Sequence, residues 1–194
     1  MEITSAQLKE LRDLTGISVM QCKKALEEAA GDMDKAKIIL QKKGGEIALK
    51  KSDRELGAGA IGSYVHSTHE VATLVLLACE TDFVSKNEEF VALAREIAMH
   101  VAAQNPLYIN RSEVDEVALA KAKEVFMTEV EGKPADMQEK ILAGKLDAYF
   151  KDRILLEQPF IKDPEKTIGN LISNAIQKFG ENVVIREISR MSVK

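Results

Sequence analysis

Cysteine, histidine and proline are scarce in this 194-residue chain, and tryptophan is absent. Cys22 and Cys79 lie far apart in the sequence, whereas secreted domains usually carry several disulfides and metal sites need clustered ligands. We therefore expect two reduced, half-buried thiols and a reducing compartment. The sequence has no run of about 18 apolar residues, and its first residues lack the basic and apolar blocks of a signal peptide. These absences favour a protein of the cytoplasm over a membrane-spanning or secreted one.

The chain also lacks the strong positive charge that is typical of nucleic-acid binders. Its net charge is −4, whereas extended phosphate contact needs a concentrated basic surface. The most basic stretch, residues 35–54, carries seven lysines and arginines against Glu46 and Asp53, but it has no aromatic residue on which a base would stack. We interpret it as a solvated helix end and linker. An RNA-binding protein that uses this stretch is an alternative, which a salt-sensitive mobility shift with RNA would detect.

Residue patterns for catalysis are missing as well. Neither standard phosphate-binding glycine loop occurs, and no serine or cysteine has a recognisable base and orienting partner. His66, His69 and Glu70 suggest a metal site, but their spacing in a strand–turn context does not fix the three or four ligands that zinc needs. The sequence therefore predicts a non-enzymatic protein with no cofactor and no metal.

Apolar periodicity predicts three short helices over residues 1–45. Gly44-Gly45 is expected to end the third of them, and residues 46–56 are expected to form a charged linker. The expected caps and breaks are Thr4 or Ser5, Gly16, Ser18 and Gly31-Asp32, and the expected inward residues include Leu8, Leu11, Leu14, Cys22 and Leu26.

Strand patterns and two further helices predict an α+β core from residues 57–112 and 154–194. Residues 57–67 and 70–80 predict an antiparallel hairpin, and residues 183–191 a third strand of the same antiparallel sheet. The glycines of the first strand indicate a close backbone approach. One helix is expected over residues 87–103. Another is expected to begin with Asp163 as its cap and Pro164 as its first residue, and to end at Gly180.

Residues 113–153 predict a protruding antiparallel coiled-coil hairpin that is inserted in the core. Both arms are heavily charged outside one narrow apolar stripe, and turn residues Gly132-Lys133-Pro134 lie between them. The two stripes are Val114, Ala118, Ala122 and Val125 on the first arm, and Leu142, Leu146 and Tyr149 on the second.

The segment that follows the central strand is the candidate functional site. A nearly all-apolar strand ends at Cys79, and Glu80-Thr81-Asp82-Phe83-Val84 comes directly after it. Two interpretations follow from the residues alone. Either Asp82 caps the turn and Phe83 folds back into the core, or Phe83 projects from the loop as an interface anchor.

Motifs along the whole chain resemble, in the same order, those of the elongation factor Ts family. They are LRDLTGISVMQCKKAL at residues 11–26, Gly31-Asp32, GSYVH at 62–66, TDFV at 81–84, IAMHVAA at 97–103, Gly132-Lys133-Pro134, Gln158-Pro159-Phe160 and Gly180-Glu181-Asn182. The resemblance implies an amino-terminal bundle like the ubiquitin-associated domain, an α+β core and a protruding coiled coil.

The resemblance also implies a function. Members of this family act as guanine-nucleotide exchange factors for the translational GTPase elongation factor Tu. It implies that Thr81, Asp82, Phe83 and Val84 act near the partner's magnesium and phosphate site, where Phe83 wedges between helices and the magnesium is displaced. His66 matches a core histidine that touches the partner. The amino-terminal contact positions that match are Arg12, Met20 and Lys23.

Two departures from the family pattern bear on these expectations. Position 19 is Val, where some relatives have a second methionine beside Met20, so a contact at Val19 is open. The core is single, as in the short form of the family, which implies a homodimer in which a second chain replaces the missing half.

The alternative from another functional class is a binding adaptor with a three-helix module and a coiled coil. An adaptor would not need the Asp82-Phe83 tip.

Overall fold

The protein is described by a computed structural model that covers residues 3–131 and 134–193. The fold class is α+β, as the sequence predicts. In chain order the helices are α1 (Ser5–Thr15), α2 (Val19–Glu28), α3 (Met33–Lys51), α4 (Asp82–Ser85), α5 (Glu88–Gln104), α6 (Glu116–Val130), α7 (Ala135–Lys151) and α8 (Ile168–Phe179). The strands are β1 (Ala58–Val65), β2 (Val71–Cys79), β3 (Pro159–Phe160), β4 (Asp163–Thr167) and β5 (Val183–Ser192).

Helices α1, α2 and the first half of α3 pack around a small apolar cluster that includes Leu11 and Leu26. Thr4 caps α1 in a reciprocal arrangement with Gln7, and Gly16 ends the helix in the left-handed conformation (φ 68°). Ser18 and Asp32 cap α2 and α3 through their side chains. These caps confirm the predicted starts of the amino-terminal helices.

The predicted end of α3 at Gly44-Gly45 is wrong. The helix continues to Lys51, so the first six residues of the predicted linker 46–56 are helical. Gly44 is buried against α8, where a Cβ atom would lie 3.4 Å from the carbonyl oxygen of Ser173. Packing against α8 therefore outweighs the poor helix propensity of two glycines. Apart from this change at residues 46–51, the predicted division of the chain into domains stays a prediction.

The central sheet has the order β1-β2-β5, and both pairings are antiparallel, as predicted. Its inner face joins α5 and α8 in the main apolar cluster, which includes Val75, Leu77, Phe90 and Ile97. A Cβ atom at Gly62 of β1 would overlap the backbone of α5, only 2.6 Å from the nitrogen of Arg95. The predicted close backbone approach is thus found at Gly62.

The start of the last helix differs from its predicted position. Asp163 and Pro164 lie in β4, which pairs with β3, and Asp163 forms an ion pair with Lys166 at 2.7 Å. Helix α8 begins instead after Thr167, whose side chain accepts from the amide of Asn170. Asp163 and Pro164 therefore belong to a short strand pair and do not start a helix. The helix starts four residues later, where Thr167 and Asn170 form a reciprocal cap.

Helices α6 and α7 lie against each other and carry a satellite apolar cluster, which also takes in Ile154. Ala122 and Val130 of α6 are buried, and Phe126 is half-buried, whereas Val125 is exposed. The stripe on α6 therefore follows a spacing of four residues, and the assignment of Val125 to it is wrong. The predicted turn residues Gly132 and Lys133 lie outside the described part of the chain.

Both cysteines are fully buried free thiols, which is deeper than the half-buried state expected from the sequence. Cys22 packs in the amino-terminal cluster and Cys79 ends β2 in the main core. Among residues 3–131 and 134–193, the structure has no helix of the length and apolar character needed to cross a membrane.

Gly62→Ala tests the close approach of β1 to α5. The added methyl group meets backbone atoms of α5, which cannot rotate away, so we expect a loss of about 1–3 kcal/mol in the free energy of unfolding. Gly45→Ala is the matched control, because nothing lies within 4 Å of its added Cβ atom. Alanine in that helix interior should raise stability by about 0.5–1 kcal/mol. Urea unfolding of both variants measures the difference, and equal effects would contradict the packing described here.

Candidate functional site

The candidate site begins where β2 leaves the sheet. Thr81 takes the position before α4 in an extended conformation, and α4 itself has four residues, Asp82–Ser85. Within this helix Val84 turns inward, where it is 3% exposed in the main apolar cluster, and Phe83 turns outward with 83% of its surface exposed. Burial of Val84 therefore fixes the inner side of α4 and directs Phe83 to solvent.

Phe83 differs from the other phenylalanines of the chain. The remaining five, all in the described part, are buried or half-buried: Phe90, Phe126, Phe150, Phe160 and Phe179. Phe90, for comparison, is 0% exposed in the core next to Phe179. Of the two interpretations that the sequence left open, the folded-back Phe83 is thus wrong. A large exposed aromatic ring is a typical anchor residue of protein interfaces.

Asp82 stands next to Phe83 with its carboxylate in solvent. Lys86, one helical turn later, donates to Asp82 Oδ2 at 2.7 Å, and this hydrogen bond together with the lysine charge lowers the pKa of Asp82 below its usual range. Asp82 is therefore ionised at neutral pH. Both side chains of the pair are about three-quarters exposed (75% and 76%), so the pair is a weak one that a competing cation or partner can separate.

An open groove of 620 Å³ extends from this tip along the outer side of α5. Its lining is mixed: Tyr64 of β1 and Val91 and Met99 of α5 are joined by charged residues. The charged residues are Lys86, Glu88, Arg95, Glu96 and Lys162. Tyr64 and Met99 belong to the motifs GSYVH and IAMHVAA, but nothing in the sequence indicated that the two residues line one groove with Lys86. Val91 is an apolar residue outside the inward stripe of α5, and it is 44% exposed.

His66 directly follows β1, and its side chain is exposed. Its Nδ1 atom lies 3.0 Å from the hydroxyl of Thr68, and its ring stands edge-on to Tyr64 at 6.2 Å between centroids. His100, in contrast, is buried, and its Nε2 atom is 2.9 Å from Gln158 Oε1. Burial lowers the pKa of His100, so it is a neutral core residue. Within the part of the chain that the structure describes, no three His, Cys, Asp or Glu residues are grouped to hold a metal ion.

The amino-terminal candidates lie on α1 and α2. Met20 is 69% exposed, Arg12 is exposed, and Lys23 is exposed one turn after Met20 with Glu27 at 3.9 Å. Leu14 was expected to point inward but is 53% exposed. It lines a groove with residues of α3, β4 and α8 instead, so the prediction that Leu14 packs inside the bundle is wrong.

The basic stretch 35–54 is largely paired within the protein. Lys43 contacts Glu28 at 2.5 Å, and Arg54 donates to both oxygens of Glu80 at 3.2 Å. Lys35, Lys37 and Lys51 also have intramolecular partners. Five of its seven basic residues thus bond inside the chain, which weakens the alternative of an RNA-binding surface here.

Comparison with known proteins gives a consistent result. Residues 2–193 match the family model described as Elongation factor TS. The chain is 47% identical over its whole length to Elongation factor Ts of Thermodesulfovibrio yellowstonii, of which it covers 97%. It is 44% identical over its whole length to Elongation factor Ts of Geotalea uraniireducens, of which it covers 90%. With Elongation factor Ts of Thermosipho melanesiensis the identity is 45% over 98% of each chain.

Phe83→Ala should leave the isolated protein stable, because the ring makes little contact with the rest of the chain. We expect a change of less than about 0.5 kcal/mol in the free energy of unfolding. Phe90→Ala removes the same side chain from a fully buried position and should cost about 3–5 kcal/mol. Urea unfolding of the two variants makes the comparison. A loss for Phe83→Ala close to that for Phe90→Ala would place Phe83 in the core.

Proposed function

This chain belongs to the elongation factor Ts family, and from that premise we propose that it is a guanine-nucleotide exchange factor for the translational GTPase elongation factor Tu. Such a factor makes or breaks no covalent bond. It binds the partner more tightly when the nucleotide is absent, and by thermodynamic linkage the nucleotide then binds less tightly to the complex. The expected place of action is the cytoplasm, where translation occurs.

The observation that carries the proposal is the exposed Phe83 on an anchored helix. In our proposal Phe83 enters a cleft between helices of the GTPase near its nucleotide site. Each tenfold gain in the release rate requires about 1.4 kcal/mol of extra stabilisation of the release transition state. Aromatic anchors in desolvated pockets contribute about 2–4 kcal/mol, which is sufficient for one to three such steps.

Asp82 would act beside Phe83 as a fixed negative charge. Its low pKa keeps the carboxylate ionised, and the exposed pair with Lys86 costs little to open. A carboxylate brought near the bound magnesium competes with the phosphates for the cation, because the ion is the largest local charge in such a site. We propose that this competition and the Phe83 wedge together displace the magnesium and release GDP. Thr81 and Val84 hold the two acting residues in place.

A second contact area would involve Arg12, Met20 and Lys23 of the amino-terminal bundle, and His66 would contribute from the core. These side chains are exposed, and Met20 is a large flexible apolar residue of the kind found at interfaces. We propose that they determine affinity for the partner, whereas Asp82 and Phe83 determine the release rate.

The oligomeric proposal is a homodimer formed through the outer face of the β1-β2-β5 sheet. This face carries apolar side chains on all three strands, and Ile61 lies directly opposite Leu76. The apolar residues are Ile61, Val65, Leu74, Leu76, Val184 and Met191. Antiparallel sheets stack face to face through such surfaces, about 10 Å apart. A second copy is the expected occupant because a two-fold axis matches the apolar face to itself, as in most homodimers.

The alternative function is that of a binding adaptor, which would bind partners without affecting a nucleotide. The exposed apolar residues of the bundle fit that alternative equally well. The exposed Phe83 next to an ionised Asp82 favours exchange, because an adaptor has no use for a charge beside an aromatic wedge.

The central test is nucleotide release. Phe83→Ala should slow release of labelled GDP from elongation factor Tu by at least about tenfold, since the variant loses an interface anchor worth about 2 kcal/mol or more. Stopped-flow fluorescence measures the rate over a range of factor concentrations. Leu107→Ala is the control, because it removes another exposed apolar side chain (60%) outside the proposed contacts. Unchanged release with a correctly folded Phe83→Ala protein would leave the adaptor as the better interpretation.

The homodimer predicts a sedimentation mass of about twice 21.4 kDa at micromolar concentration. Val65→Asp places a charge on the outer sheet face and should shift the protein to the single-chain mass, because burying an unpaired carboxylate costs several kcal/mol. Val125→Asp on α6 is the matched control, since both valines are 61% exposed, and it should leave the dimer intact. A single-chain mass of the unsubstituted protein across this range is incompatible with the proposal.

A further inference from the structure

The backbone of Glu80 and Thr81 leaves the sheet just beyond the last pairs of β2, in which Cys79 lies opposite Ala58 and Val183. Both amides nevertheless have an acceptor. The N–H groups of Glu80 and Thr81 donate to Oε2 of Glu181 at 3.1 and 3.0 Å. The hydroxyl of Thr81 donates to the other oxygen, Oε1, at 2.5 Å. One carboxylate thus accepts three hydrogen bonds from the two residues that precede the tip.

The contact diverts Thr81 from its usual local role. A threonine before a helix normally caps it by accepting a hydrogen bond from an amide of the first turn. Thr81 makes no such bond to α4, and its hydroxyl is directed to Glu181 instead. Helix α4 has only four residues, so its own hydrogen bonds do little to fix its direction. The direction must be set by contacts with the rest of the core.

The contact between these two loops is reciprocal. Gly180 ends α8 in the left-handed conformation (φ 72°), and this turn brings Glu181 and Asn182 to the end of β2. The amide of Asn182 donates to Glu80 Oε1 at 2.6 Å, and this hydrogen bond is the main reason that the pKa of Glu80 is lowered. Arg54 also donates to the carboxylate of Glu80. Each loop therefore provides a carboxylate for the amides of the other, across about a hundred residues of sequence.

We propose that Glu181 is a positioning residue for nucleotide release, because its carboxylate fixes the direction in which the Asp82–Phe83 tip leaves the sheet. This inference rests on the proposed exchange function. Val84 anchors the inner side of α4 through apolar contacts, which are non-directional and allow the helix to pivot. The hydrogen bonds to Glu181 are directional and remove that freedom. A tip that is ordered before binding presents Phe83 in the geometry of the complex without an entropic cost at that moment.

The test compares Glu181→Ala, Glu181→Gln and the control Glu124→Gln, which changes an exposed glutamate of α6. GDP release from elongation factor Tu is followed as a function of factor concentration. Glu181→Ala should lower the release rate at saturation by about tenfold, since a misdirected anchor loses its transition-state contact. The concentration for half-saturation should change by less than about twofold, because the proposed docking residues are elsewhere. Glu181→Gln retains an acceptor oxygen for both amides and should recover most of the rate.

Two further measurements separate positioning from a structural role. In the Phe83→Ala background, Glu181→Ala should change release by less than about twofold, because the side chain to be positioned is gone. In the free protein, amide hydrogen exchange of Glu80 and Thr81 should accelerate in Glu181→Ala, while the amides of the inner β2 residues stay protected.

The outcomes distinguish the positioning role of Glu181 from a structural role and from failure of the exchange function. If Phe83→Ala slows release but Glu181→Ala does not, the exchange function stands and the positioning role is wrong. If Glu181→Ala slows release equally with and without Phe83, or only in proportion to lost folded protein, Glu181 acts structurally. If neither substitution slows release, both the exchange mechanism and this inference fail.

Discussion

Strand β2 forms backbone hydrogen bonds along both of its edges, and the rest of the core is arranged around this pairing. Because its peptide groups are paired with β1 and β5, the strand tolerates apolar side chains on both faces. On the inner face of the sheet, α5 approaches the neighbouring strand β1 so closely that Gly62 of β1 has no room for a side chain. The pairing stops at Cys79, and there the chain must return to solvent. The candidate site therefore lies at the end of the most constrained strand of the molecule.

The tip separates the residues that stabilise the fold from those available for binding. Val84 and Phe90 are buried and contribute to folding, whereas Phe83 is exposed and contributes little to it. Burying a side chain of this size is worth about 1.5–3 kcal/mol, which the isolated protein does not gain. That free energy remains available for a complex. Separating the exposed ion pair of Asp82 and Lys86 also costs little free energy, because solvent already screens the two charges.

Helix α3 connects the amino-terminal bundle to the region of the tip. It packs on α8 through Gly44, and at its end Lys51 donates to the carbonyl oxygen of Gly180. Arg54 follows and donates to Glu80, which is itself part of the contact between the segment that precedes the tip and the loop after α8. With a flexible linker, the amino-terminal bundle and the tip would be free to move relative to each other, and binding would have to fix their relative position. A continuous helix reduces that cost, because fewer backbone torsions remain free.

Local features of this protein follow from the sequence alone. Thr4 and Ser18 start helices because their side chains reach amides three residues away, and β1, β2 and β5 follow from short-range apolar patterns. The family, too, is recognisable from motifs in collinear order. Other features depend on residues that are distant in sequence. Gly44 stays helical because α8 packs on it, and Phe83 faces outward because its neighbour Val84 fills the core. Glu181 accepts from Thr81, which lies 100 residues earlier and directly precedes the tip. Sequence periodicity carries no information about such contacts, because their energy comes from surfaces that meet only when the chain has folded.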